Sequence, residues 1–247
     1  MKNIKSNTNT KTYLSIIVPV LNEEENLAVL AAEIETVAAG LGKPWEVVFV
    51  DDGSTDRSLQ VIRDLASKDE HVRYLSFARN CGQSAAFKAG FDTAQGDVLV
   101  TMDADLQNDP ADMPAMLALY EAGNDMVIGW RACRRDSLAK RWGSRLANRV
   151  RNGFTRESVR DTGCSLKIMR ASMARRMPMF TGMHRFLPTL MKLQGAKVAE
   201  VAVNHRPRRH GVSKYNNWQR LKAGLLDLVA VRWMQSRWFR YEIKESK

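Results

Sequence analysis

The chain has 247 residues, a formal net charge of +11 and 45% hydrophobic residues, enough apolar material for one large domain with its own core. Its three cysteines, Cys81, Cys133 and Cys164, have no paired metal-type spacing and make no disulfide framework, which fits a reducing compartment. No segment reaches the roughly 20 apolar residues of a spanning helix; the best candidate, Ala223 to Val231, contains Asp227 and is followed by Arg232.

Residues 1–12 read as a polar tail without the apolar stretch of a signal peptide. LSIIVPV, from Leu14, is a β-branched run and predicts a strand, and EEENLAVLAAEIETVAAGL has helical spacing. WEVVFVDD and TDRSLQVIRDLASK predict a second strand and helix; VRYLSFA and QSAAFKAGFDTAQG predict a third pair. DVLVTMD, PADMPAMLALYEAG and NDMVIGW continue as strand, helix and strand. Alternation of continuous apolar strands with helices predicts a mostly parallel sheet covered on both faces, an α/β Rossmann-like architecture. There is no internal repeat and no Pro, Gly or Ser-rich linker, so one domain is expected over 13–215, followed by an amphipathic helix and tail over 216–247.

Charge divides along the chain. Residues 1–130 hold 10 basic and 20 acidic side chains, and residues 131–247 hold 28 and 7. The first part suits a cation and the second suits anions.

In parallel sheets of this kind ligands bind beyond the carboxyl ends of the strands. Three predicted strands end in polar groups: Pro19-Val20-Leu21-Asn22-Glu23, Asp51-Asp52-Gly53-Ser54-Thr55-Asp56 and Asp103-Ala104-Asp105, with Gln107 and Asp109 following. Each alone could be a turn or a helix cap; their common location points to one crevice. Adjacent carboxylates repel unless a cation neutralises them. A divalent cation bridging to a nucleotide diphosphate would do so. No glycine-rich phosphate loop is present, which argues against an ordinary NTPase or dehydrogenase.

IIVPVLNEEENL, VVFVDDGSTD, RNCGQSAAFKAGFDTAQGD and DADLQNDP, with GWR, DTGCSLKIMR and RRHGVSKY downstream, resemble in order the family-2 glycosyltransferases of GT-A fold. Within them the chain is similar to the polyprenyl-phosphate glycosyltransferases of the dolichol-phosphate mannosyltransferase type, over about Leu14 to Tyr215. The resemblance implies an inverting transfer of a sugar from a nucleotide-diphosphate sugar to a polyprenyl phosphate, with Mg2+ or Mn2+. It implies a nucleotide-sugar pocket of Pro19, Asn22, Glu23, Asp51, Asp52, Asp103, Arg208 and Lys214. Asp52 is the expected base or ribose contact. Asp103, Asp105 and Gln107 correspond to a metal set. Arg131, with Lys140 and Ser144, would bind the acceptor phosphate; Lys140 stands where an arginine is expected, and Arg131, Asp105 and Asp161 would serve catalysis.

An acceptor phosphate is already anionic near neutral pH. It needs cations more than a general base, which a hydroxyl acceptor would require. Asp161 stands open between orienting the sugar, relaying a proton and capping a turn. The C-terminal segment departs from relatives that continue into transmembrane helices. Trp218, Leu221, Leu225, Leu228 and Val229 form one helical stripe, beside Arg220, Arg232, Trp233, Arg237 and Trp238. Such a helix suits peripheral contact with the cytoplasmic face of a membrane, or packing on the core; a separate membrane protein is a further possible anchor. The alternative activity is transfer to a sugar hydroxyl of a soluble or polysaccharide acceptor. No motif for specific nucleic-acid binding is evident.

Overall fold

The computed structural model describes residues 11–132, 149, 151–155, 159–207, 217–239 and 244–245, with the last helix's side chains described from Gly224 onward. Five strands appear as the sequence predicts: β1 (Leu14–Val20), β2 (Trp45–Asp51), β3 (Val72–Ser76), β4 (Val98–Thr101) and β5 (Met126–Arg131). Between them lie α1 (Glu24–Gly40), α2 (Ser58–Lys68), α3 (Gln83–Thr93) and α4 (Met113–Glu121). The fourth predicted helix divides into a 3-10 turn at Pro110–Asp112 and α4, because Asp109 caps the turn by accepting from the Ala111 amide and Pro110 occupies its first position. Beyond β5 come β6 (Lys167–Arg170), α5 (Ala171–Arg175), a 3-10 turn at Met183–Phe186, α6 (Leu187–Leu193), β7 (Val198–Val203) and α7 (Asn217–Arg237).

One seven-stranded sheet has the order β3-β2-β1-β4-β6-β5-β7. β6 runs antiparallel to both β4 and β5, while the other pairings are parallel. Order therefore reverses beside β1: the chain steps outward through β2 and β3, then returns to β4 on β1's other edge. This switch opens a crevice at the carboxyl ends.

All of β2 and β4 and nearly all of β1 are buried, so successive side chains feed two cores. On one face Ile16, Val18 and Phe49 pack with Leu27, Leu30 and Ile34 of α1, Ile62 of α2 and Met116 of α4. On the other, Ile17, Val48 and Val50 pack with Phe87 and Phe91 of α3, Met169 of β6 and Leu190 of α6. Leu228 and Val231 of α7 join this second core.

The C-terminal stripe is thus divided by the fold. Leu228 faces inward, whereas Leu225 and Val229 are exposed. Trp218 and Leu221 lie on helical backbone, but their side chains fall outside the described residues.

Helix α3 approaches β1 closely at Gly90. A Cβ there would stand 2.3 Å from Ile17 Cγ2. Gly90→Ala is expected to destabilise the fold by about 1–3 kcal/mol through overpacking, read as a lower urea midpoint with an unchanged m-value.

Candidate functional site

The ends of β1 and β2 are sewn together by side chains. Asn22 has a φ of 51°, tolerated by asparagine. Its amide donates to Ser54 Oγ at 3.0 Å, and its Oδ1 accepts from the Thr55 amide at 2.8 Å. Glu23 donates its amide to Ser58 Oγ at 2.8 Å and accepts from Asn26 Nδ2 at 2.7 Å. Pro19, opposite Val50, is the half-buried residue of β1.

The two adjacent aspartates differ in partners. Asp51 accepts from the Ser54 amide at 3.1 Å and from Ser76 Oγ at 2.9 Å, which anchors it to its own turn and to β3. Asp52 accepts from the Cys81 amide at 2.6 Å and from the Gly82 amide at 2.9 Å. Burial pushes the Asp52 carboxyl above its ordinary value, against the two amides and with a further rise from Asp51. Gly53 makes this arrangement possible. Its φ is +71°, and a Cβ would lie 2.5 Å from the Arg79 carbonyl carbon. The glycine lets the segment before α3 approach closely enough to bond Asp52.

After β4 the backbone makes a strained turn. Leu106 has a φ of 60°, held by a side chain buried in the first core. Asp105 Oδ1 accepts from the Gln107 amide at 3.2 Å. Asp103 Oδ1 accepts from Gln83 Nε2 at 2.8 Å, so the entry to α3, Cys81 to Gln83, touches both Asp52 and Asp103. Asn108 Oδ1 accepts from the Asp103 amide at 3.2 Å and from Ser165 Oγ at 2.6 Å. Gln107 points its amide nitrogen toward the Arg206 carbonyl at 3.5 Å.

The chain leaving β7 is strapped to this turn. Asn108 and His205 form an antiparallel bridge, and the Arg206 amide donates to the Gln107 carbonyl at 3.0 Å. Arg206 also reaches Glu33 at 2.6 Å and Asp109 at 2.5 Å. Burial opposes the Asp109 charge, but bonds from Asn204, the Ala111 amide and Arg206 outweigh it and hold its carboxyl below the ordinary value.

Arg131 closes β5 and meets Asp161 as a two-pronged pair, Nε to Oδ2 at 2.7 Å and Nη2 to Oδ1 at 3.0 Å. Gly163 leaves room for it, since a Cβ there would lie 3.1 Å from Arg131 Nη2. Lys140, Ser144, Arg208 and Lys214 lie outside the described residues.

Asp103 and Asp105 supply hard oxygen donors on one short turn, the chemistry that suits Mg2+ or Mn2+. Among the described residues no group of three or more His, Cys, Asp or Glu side chains is arranged to hold a metal. Two carboxylates fit a cation that completes its shell with phosphate oxygens and water, as Mg2+ commonly does. Sequence reading missed Gln83, Leu106, Asn108, Lys167 and Arg206. The glycine before Gln83, in RNCGQ, was the available signal for a helix start facing the crevice.

Asp52→Asn retains only one carbonyl acceptor for the Cys81 and Gly82 amides. It is expected to cost about 2 kcal/mol, the range of hydrogen bonds to a charged group. Faster hydrogen exchange at those two amides, with little change in α1, is the accompanying signature.

The model of the Glycosyl transferase family 2 matches residues 15–179. The chain is 39% identical over 223 residues to a dodecaprenyl-phosphate galacturonate synthase of Rhizobium johnstonii, covering 88% of this chain and 66% of that protein. It is 39% identical over 204 residues to an undecaprenyl-phosphate 4-deoxy-4-formamido-L-arabinose transferase of Pectobacterium carotovorum subsp. carotovorum, covering 82% and 62%. It spans just under two thirds of the length of these curated relatives. Among solved structures it superposes with a TM-score of 0.69 and 20% identity on glucosyl-3-phosphoglycerate synthase of Mycobacterium tuberculosis in complex with Mn2+, UDP and phosphoglyceric acid, covering 93% of this chain and 80% of that one. That likeness establishes the α/β GT-A fold. The family match over most of the sheet makes this chain a member of glycosyl transferase family 2.

Proposed function

We propose that this chain transfers a sugar from a nucleotide-diphosphate sugar to a polyprenyl phosphate. The observation that carries the reading is that the carboxyl ends of β2, β4 and β5 bring Asp52, the turn of Asp103 and Asp105, and the Arg131–Asp161 pair to the same edge of the sheet. The relatives named for dodecaprenyl- and undecaprenyl-phosphate substrates support the acceptor class.

In this reading the ends of β1 and β2, with Pro19, Asn22, Glu23, Asp51 and Asp52, border the nucleoside. Asp103 and Asp105, with Gln107 beside them, would hold a divalent cation. When bound, that cation would neutralise the departing diphosphate. The acceptor phosphate oxygen attacks the anomeric carbon, forming the new C–O bond as the bond to the diphosphate oxygen breaks and its electron pair leaves with the nucleotide. The configuration inverts. Arg131, joined by Lys140 and Ser144, holds the acceptor anion, and Arg208 and Lys214 serve the diphosphate. Both carboxylate oxygens of Asp161 engage Arg131, and proton uptake would break that pair; this favours an orienting role over proton relay. A phosphate acceptor needs no base.

A screen of nucleotide sugars against polyprenyl phosphate, with mass detection of lipid-linked sugar, tests the reaction. Asp105→Ala is expected to lower turnover at least about a hundredfold, as loss of a transition-state electrostatic group does, with the far-UV spectrum retained. Full activity of that variant in metal-depleted buffer would overturn the cation assignment.

The outward face of α7 supports contact with the cytoplasmic face of a membrane. Leu226 is 73% exposed and Trp233 63%, flanked by Arg232 and Arg237. Among the described residues no helix is long and apolar enough to cross a membrane. The inner face belongs to the core, so point substitution separates surface from fold better than truncation. Leu226→Ser with Trp233→Ser should abolish most cosedimentation with anionic vesicles and leave the thermal midpoint near wild type. Each basic group close to an anionic surface contributes about 1 kcal/mol, apolar burial adds to it, and high salt should remove part of the binding. Binding by neither protein would favour a separate membrane-anchor protein.

A further inference from the structure

Lys167 is the one lysine or arginine among the described residues that is buried, at 3% exposure. It opens β6, paired with Thr101 of β4 and Ile128 of β5, and so stands where the sheet meets the crevice. Its Nζ donates to the Cys164 carbonyl, in the turn that joins Asp161 to β6. That turn is tied at several points. The Cys164 amide donates to the Asp161 carbonyl at 3.4 Å. Thr101 Oγ1 donates to the Ser165 carbonyl at 2.6 Å. Ser165 Oγ reaches the same Asn108 oxygen that receives the Asp103 amide. One short segment thus connects the Arg131–Asp161 pair to the turn bearing Asp103, and Lys167 lies beneath it.

We propose that Lys167 is a positioning residue, the internal counter-charge that holds Asp161, with its Arg131, and Asp103 in register across the crevice. An isolated buried ammonium destabilises a fold, and an apolar side chain would pack in its place without that cost. Beyond Thr101, its face of β4, β5 and β6 is apolar: Leu99, Met126, Ile128 and Met169 lie on it. Burial presses its ammonium toward the neutral form, while Cys164, Asp103 and Asp161 favour the charge and Arg131 opposes it. The two aspartates are like charges on one floor, and a fixed cation between their elements removes the repulsion that would part them. Arg131, gripped by Asp161, keeps its aim only while Asp161 keeps its place. The cation therefore acts on acceptor alignment and on the turn bearing Asp103, and leaves nucleoside contacts alone. This deepens the proposed reaction and rests on it.

Lys167→Gln preserves a donor for the Cys164 carbonyl and removes only the charge; Lys167→Met removes both. With polyprenyl phosphate and the donor sugar found in the screen, both variants are expected to lose at least about tenfold in kcat. Affinity for UDP without divalent cation, which reads the nucleoside contacts at the ends of β1 and β2, should stay within about threefold of wild type by calorimetry. In an Asp161→Asn background, Lys167→Gln should cost less than about threefold further, because both substitutions disable one unit. A folded Lys167→Gln variant with wild-type kcat, or losses that multiply in full, would overturn the proposal. So would failure of both neutral variants to fold, which would mark a purely structural cation. Inactivity of the wild type on every lipid phosphate would sink the proposed reaction instead. The same double-mutant cycle read by urea denaturation then decides: coupling of at least about fivefold in the unfolding constant supports the Lys167–Asp161 link, and strict additivity overturns it.

Discussion

A sheet buried on both faces imposes the constraint from which the rest of this molecule follows. Along β1, β2 and β4 nearly every side chain is enclosed by helices, so polar chemistry is confined to the strand ends. The reversal of strand order beside β1 then gathers three of those ends at one edge. Asn22, Asp52 and Asp103 are neighbours because the strands carrying them pair in register, with little help from proximity in sequence.

The crevice is held by many small devices that cooperate. Gly53 admits the segment before α3, whose Cys81 and Gly82 amides grip Asp52. The same helix start sends Gln83 to Asp103. Leu106 accepts an unfavourable backbone conformation, and the burial of its side chain offsets that strain. Arg206 fastens the exit of β7 to α1 and to the cap at Asp109. Through these contacts a strand late in the chain becomes a wall of a site opened by the early strands.

Charge separation along the chain acquires a spatial meaning here. The acidic first part supplies the turn after β4, and the basic second part begins at Arg131, across the crevice. The proposed transfer between two phosphate-bearing substrates would use this juxtaposition: carboxylates to hold a cation on one side, the Arg131 guanidinium to hold an anion on the other.

The sequence by itself determined the alternation of strands and helices through β5, the acidic strand ends and the helix cap at Asp109. Each of these rests on local periodicity or on turn chemistry within a few residues. Tertiary structure alone decided the insertion of β6, antiparallel, between β4 and β5, since pairing partners are chosen by packing across many residues. It decided which face of α7 turns inward, placing Leu228 in the core and leaving Leu225 and Val229 outside. It also decided the burial of Lys167. A lysine beside Ile168 and Met169 reads locally as the solvated end of a strand. Only the closing of β4, β5 and the turn from Asp161 around it removes water from its ammonium, and whether a charge is buried depends on neighbours that sequence spacing does not reveal.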